Sequence, residues 1–264
     1  MVNWRKNLIY SFSMLVLLFL MIPTFIVIPM SFSSSQYLQF PPPGYSTKWY
    51  ENFFNSPTWT ESFIFSLKVG FATMILSTVL GTLASLVLSR VKSRWTNFIY
   101  YIIMTPMIVP LIIIAVAIYS FFVQSKLQGS FIGLVIAHTV IALPYVVTTV
   151  LGSLKSFDIQ LEQAAQSLGA RPFTAFLKVT VPIISPALIS GALFAFIASF
   201  DELIVSIFVS SAESKTLPVR MWEGVRLEID PTITAISSIL ILISITLFVC
   251  MQLLQYLSRK KGIS

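Results

Sequence analysis

Asp201 and Glu202 lie inside a long apolar stretch that runs from about residue 183 to 209. Ionisable side chains deep in such a segment are costly, and they ordinarily face a cavity or a partner. On a continuous helix Glu202 shares a face with Ser199 and Ser206, three residues before it and four after, while Asp201 points about 100° away. Counted inward from residue 210 at ~1.5 Å per residue, the pair lies about 12–14 Å deep. Two readings are open. In one, a carboxylate lines the path of a cationic substrate, with aromatic rings adding cation–π attraction. In the other, a buried acid is held by a partner helix.

A second segment, residues 155–182, is polar enough to leave the membrane and is patterned for docking. Asp158 is a helix N-cap and Gly169 a C′ residue. Between them Leu161, Ala164, Ala165 and Leu168 recur at helical spacing, beside Glu162 and Gln163. Two adjacent alanines make a low surface that another element can approach closely. Pro172 opens a second short helix with Phe173, Phe176 and Leu177 on its apolar face, and Pro182 and Pro186 mark the start of the next apolar segment. A displayed helix-turn-helix of this kind suits a groove on another protein; an ordinary structured loop is the alternative.

The rest of the chemical inventory is thin. One histidine, His138, and one cysteine, Cys250, leave no disulfide framework and no expected metal site. His138 is read as a packed, interhelical hydrogen-bonding residue rather than a proton relay, Cys250 as packing, and Lys68 as a snorkelling side chain. The sequence contains no Gly-x4-Gly-Lys-Ser/Thr loop, so no nucleotide cofactor is expected on this chain and ATP would have to be bound by a partner.

The elements that must position these residues follow from composition. Of 264 residues 56% are hydrophobic and 10% charged, too few charges to cover a soluble fold of this size. The expected class is an all-α membrane protein. Six apolar stretches of spanning length lie at about 8–31, 62–89, 98–123, 131–154, 183–209 and 232–257. The first is too long for a signal peptide and lacks a small-residue cleavage site, so it is read as a retained helix. With the N-terminus inside, eleven basic residues fall on inner segments and five on outer ones, with Lys68 inside the second span. This asymmetry predicts six spans with both termini cytoplasmic, and it accounts for the net charge of +7 without nucleic acid. The five tryptophans all fall at or beyond span ends, as an aromatic belt requires. Pro23, Pro29, Pro106, Pro110 and Pro144 lie within spans and can kink them. The outer loop at about 32–61 is stiffened by proline and rich in aromatic residues, and the one at about 210–231 carries Thr216 to Trp222 and the acids Glu223, Glu228 and Asp230.

The 155–182 segment resembles the EAA loop of bacterial binding-protein-dependent ABC-importer permeases, whose pattern is Glu-Ala-Ala, three residues, Gly, then an apolar-Pro pair. Here it reads Gln163-Ala164-Ala165, Gly169 and Val181-Pro182, with Glu162 just before the glutamine. Further likeness to polyamine-importer permeases lies in Phe40 to Gly44 with Trp49-Tyr50, in Ser199 to Glu202, and in Thr216 to Val219 with Met221-Trp222. The resemblance implies a type I ABC-importer permease fold, with a first helix and loop over 1–61, a permease core over 62–257 and a basic tail over 258–264. It implies residence in the inner membrane, no catalysis by this chain, and passage of spermidine or putrescine. Relatives of this kind also serve opines, thiamine, phosphonates or iron. By the same resemblance, an ATPase dimer docks on Leu161, Glu162, Gln163, Ala164, Ala165, Leu168, Gly169 and Pro182. A second, similar permease completes the pore, and a periplasmic binding protein docks on outer residues including Trp49, Tyr50, Trp222 and Glu223. A stand-alone ion-coupled carrier or an intramembrane enzyme are the competing classes, and neither calls for a docking helix at 161–169.

Overall fold

The computed structural model describes residues 2–227 and 230–260. Among these the regular structure is helical, apart from one isolated antiparallel bridge between Ser33 and Tyr45. Four described helices are long and apolar enough to cross a membrane, and a bent pair makes a fifth if it counts as one span. The sixth expected span falls on a helix whose described apolar part, Thr232–Thr246, is shorter. The chain divides into two compact units, Met1–Thr60 with Met221–Val249 and Glu61–Arg220 with Cys250–Ser264.

In the first unit, α1 (Val2–Ser31) is an apolar helix that is exposed from Lys6 to Pro23 and becomes partly buried towards Ser31. The chain then turns back on itself: the Ser34 amide donates to the Gly44 carbonyl (2.9 Å) and the Ser46 amide to the Phe32 carbonyl (2.6 Å). A short amphipathic helix, α2 (Lys48–Asn55), follows. The side chains of Arg5, Cys250, Arg259 and Lys260, and all of Glu228 and Lys261, lie outside what is described. So do the expectations placed on them.

The second unit holds most of α3 (Pro57–Arg90), then α4 (Arg94–Ile108), α5 (Leu111–Ser125) and α6 (Phe131–Ser156). The third expected span is not one helix. Val109 is extended ahead of Pro110, and α4 and α5 meet at 107°. A residue before proline avoids the helical region, and Pro110 cannot donate back into the ladder, so the break is written locally.

α7 (Ile159–Ser167) and α8 (Pro172–Ala175) follow, then a π-turn over Phe176–Thr180 and α9 (Val181–Phe200). The expected separate second helix of the cytoplasmic loop is thus the foot of span five: one helical run extends from Pro172 to Phe200. Pro182 supplies the reason for the π-turn. Its ring crowds the carbonyl four residues back, and the ladder widens so that the Val181 amide reaches the Phe176 carbonyl, five residues back. Span five also breaks at its outer end: α9 stops at Phe200, and a six-residue helix, α10 (Ile204–Val209), restarts after Leu203. The outer loop beyond it carries α11 (Leu217–Leu227), and α12 (Thr232–Lys260) closes the chain.

α6 is the buried axis of this unit. Ala142, Val146, Val150 and Leu154 pack with Ile184 and Ala195 of α9. A second cluster joins Leu134 and Ala137 to Val69, Ala115, Phe122, Val205 and Val209. In lipid, helices associate through close packing rather than hydrophobic expulsion, so small residues matter. A Cβ at Gly81 would stand 2.6 Å from a Val146 methyl, so only glycine lets α3 lie against α6 there.

Candidate functional site

The break in span five is built around a carboxylate. Glu202 is 6% exposed. One of its oxygens accepts from the Val205 amide and the other from the Ser206 amide, both at 2.9 Å. The first amides of a helix have no partner within it, and water is scarce at this depth. The side chain therefore caps α10 and makes the restart possible. His138, 1% exposed on α6, completes the arrangement. Its Nδ1 lies 2.8 Å from the Ser199 hydroxyl and its Nε2 lies 3.0 Å from the Ser206 hydroxyl. The same Nε2 is 3.8 Å from the Glu202 carboxylate. His138 thus bridges the break from the neighbouring helix, as an interhelical hydrogen-bonding residue.

This corrects the geometry expected from a continuous helix. Ser199, Glu202 and Ser206 are brought together, but by His138 and by the backbone of α10 rather than by a shared helical face. Asp201 is left outside the cluster. It ends α9, its amide bonded back to Ile197, and its side chain is exposed. Of the two acids, one is committed to the backbone and one is available. Sequence reasoning missed that His138 belongs here; it lies 61 residues from Ser199, and only the packing of α6 on α9 joins them.

The segment over 155–182 holds a second buried carboxylate. α7 forms where expected. Asp158 caps it by accepting from the Gln160 amide (2.9 Å). Gly169, with φ +92, closes it: its amide reaches the Gln166 carbonyl and the Ala170 amide reaches that of Ala165, a paired closure that favours glycine. Glu162 points inward and is 3% exposed. The Arg90 guanidinium donates to it at 2.6 Å, the Thr180 hydroxyl donates to the same oxygen, and the Gln166 amide lies 3.4 Å from the other. Charge-assisted hydrogen bonds of this kind are worth roughly 1.5–3 kcal/mol each. The neighbouring Gln163 and Ala164 face outward, with Leu161 at 48% and Leu168 at 90% exposure. Phe173 is 71% exposed beside them in the chain. α7 therefore turns its acid in and an uncharged face of mixed apolar and polar side chains out. Arg90 and Thr180 were not identified from sequence, where Arg90 counted only towards orientation.

On α2, Trp49 and Tyr50 use their polar atoms within the first unit. The Trp49 indole donates to the Ser33 carbonyl (2.8 Å), and the Tyr50 hydroxyl lies 2.7 Å from that of Ser31. Both side chains remain half-buried. Trp222 is 43% exposed, with the Arg226 guanidinium 5.6 Å above its ring. Glu223 is half-buried on α11. No group of metal-ligating side chains occurs among the described residues.

Residues 77–261 match the family described as binding-protein-dependent transport system inner membrane components. The chain belongs to that family. The permease is 33% identical over 245 residues to the spermidine/putrescine transport system permease protein PotC of Haemophilus influenzae, spanning 92% of this chain and 95% of that protein. It is 30% identical over 230 residues to the putrescine transport system permease protein PotI of Escherichia coli K12, spanning 84% and 82%. Its fold is that of ABC-importer permeases. A solved bacterial alginate ABC transporter, in complex with an alginate pentasaccharide-bound periplasmic protein, superposes with a TM-score of 0.72 at 15% identity, covering 97% of this chain and 95% of that one. The permease is a transport subunit, an inner-membrane component, and its family is not one of catalysts.

Proposed function

We propose that this permease carries polyamines inward as part of an ATP-driven importer, and that the substrate passes Asp201. The exposed carboxylate at the break in span five carries this reading: a polyamine is a string of ammonium groups, and an accessible acid within the membrane is what such a cation lacks elsewhere along an apolar path. The names of the relatives, PotC and PotI, point to the same substrate class. Glu202, Ser199 and Ser206 serve the path by holding the break open beside Asp201.

In this reading an ATPase dimer docks on the outward face of α7, at Leu161, Gln163, Ala164, Ala165 and Leu168, with Gly169 and Pro182 setting its shape and Glu162 buried behind it, out of reach of the ATPase. A second permease completes the pore. A periplasmic binding protein delivers substrate to the outer loops, where Trp49, Tyr50, Trp222 and Glu223 are the contacts to test. Both termini face the cytoplasm, as the basic residues support.

The test is uptake of radiolabelled putrescine and spermidine in cells lacking the permease and complemented with it. Asp201→Asn should lower uptake about tenfold or more, the loss of roughly 1.4 kcal/mol or more of interaction, with the protein still in the membrane. Wild-type complementation without polyamine uptake would exclude the substrate class, and normal kinetics in the Asn variant would exclude the residue.

A further inference from the structure

We infer that Glu162, Arg90 and Thr180 form the joint through which a displacement of α7 is passed to the membrane helices, with Glu162 as its positioning residue. The inference rests on the reading of α7 as the place where the ATPase docks.

α7 is nine residues long and is tied to the chain by short connectors, Phe157–Asp158 before it and Leu168–Arg171 after it. A helix of that length has little stability of its own and transmits a push only if it is fastened. The fastening is one buried oxygen of Glu162, shared by two donors from different helices. Arg90 is the last residue of α3. Thr180 is the last residue of the π-turn. One carboxylate therefore holds α7 to the cytoplasmic ends of two membrane helices at once.

The π-turn makes the second attachment specific. The wide turn ahead of Pro182 sets which residue faces α7, and there it presents a hydroxyl. Irregular turns of this type are frequent at functional sites. From Thr180 the chain runs unbroken along α9 to Phe200, so motion at Glu162 arrives at the break beside Asp201. The outward face of α7 carries no charged side chain between Leu161 and Leu168 other than this inward acid. Docking is thus left to uncharged contact and fastening to charge, on opposite faces of one short helix.

The experiment uses the whole complex in lipid nanodiscs, with spin labels at Ser167 on α7 and Ile189 on α9. In the wild type the inter-label distance should stay fixed when ATP and vanadate are added. Glu162→Gln should keep the ATPase bound and hydrolysing, broaden that distance, and lower putrescine uptake per ATP about tenfold, as expected for loss of a charge-assisted hydrogen bond. Thr180→Val should give a smaller loss of the same kind. Arg90→Gln, alone or combined with Glu162→Gln, should lose no more than Glu162→Gln alone, because coupled residues are non-additive. An unchanged distance distribution in Glu162→Gln with the ATPase bound would overturn the joint, as would release of the ATPase or additive losses. Bulky residues at Ala164 and Ala165 test the docking reading separately: retained ATPase there removes that reading, whatever Glu162 does.

Discussion

Two carboxylates are buried in the second unit, and they are neutralised in opposite ways. Glu162, near the aqueous boundary, is paired with a guanidinium that is itself 39% exposed and keeps part of its hydration. Glu202, within the membrane, takes both of its short contacts from backbone amides, and the side chain within ion-pair range is a histidine at 3.8 Å. The contrast is one of solvent. Burying a carboxylate and a guanidinium together deep in lipid would require two charges to be desolvated. Amides at a helix start need a partner there in any case. Glu202 solves a backbone problem; Glu162 joins elements.

Removing each carboxylate breaks this comparison most directly. Glu202→Leu should be the more damaging change, because it strands two amides within the membrane. Its cost should reach several kcal/mol, read as a loss of folded permease in a thermal-stability assay in detergent. If Glu202→Leu were as stable as wild type, the cap would not be what holds the restart of α10. Glu162→Ala should cost about 1.5–3 kcal/mol in the same assay, since water can reach Arg90 once its partner is gone. Equal losses for the two would show that solvent access does not separate them.

Smaller changes sharpen it. Ser206→Ala removes one hydroxyl from His138 and should cost about 1 kcal/mol; a much larger loss would mean that the histidine, rather than Glu202, carries the break. Gly169→Ala meets nothing within 4 Å, so its cost is that of a left-handed backbone alone, about 1 kcal/mol. The expected outcome is a slightly lower midpoint with the ATPase still bound.

The two regions also differ in how legible they were. At α7 the cap Asp158, the closing Gly169 and the apolar spacing are local signals, and each appears in the structure in the role its type predicts. The inward turn of Glu162 was not local: its partners lie 72 residues before it and 18 after it. The breaks show the same division. Pro110 announced the bend between α4 and α5, although not its 107° angle. Nothing around Phe200 to Leu203 breaks a helix by propensity, since neither proline nor glycine occurs there. The helix ends there because a glutamate finds two amides and a histidine on α6 finds two serines.

Composition and charge order by themselves determined that this is a helical membrane protein with a short capped helix at 158–169, because hydrophobic length and capping chemistry act over a few neighbouring residues. Tertiary structure alone decided which acid is spent and which is free. In a medium without water each buried polar group has to be satisfied by whatever the packing brings within 3 Å or so, and that is a property of the assembled helices.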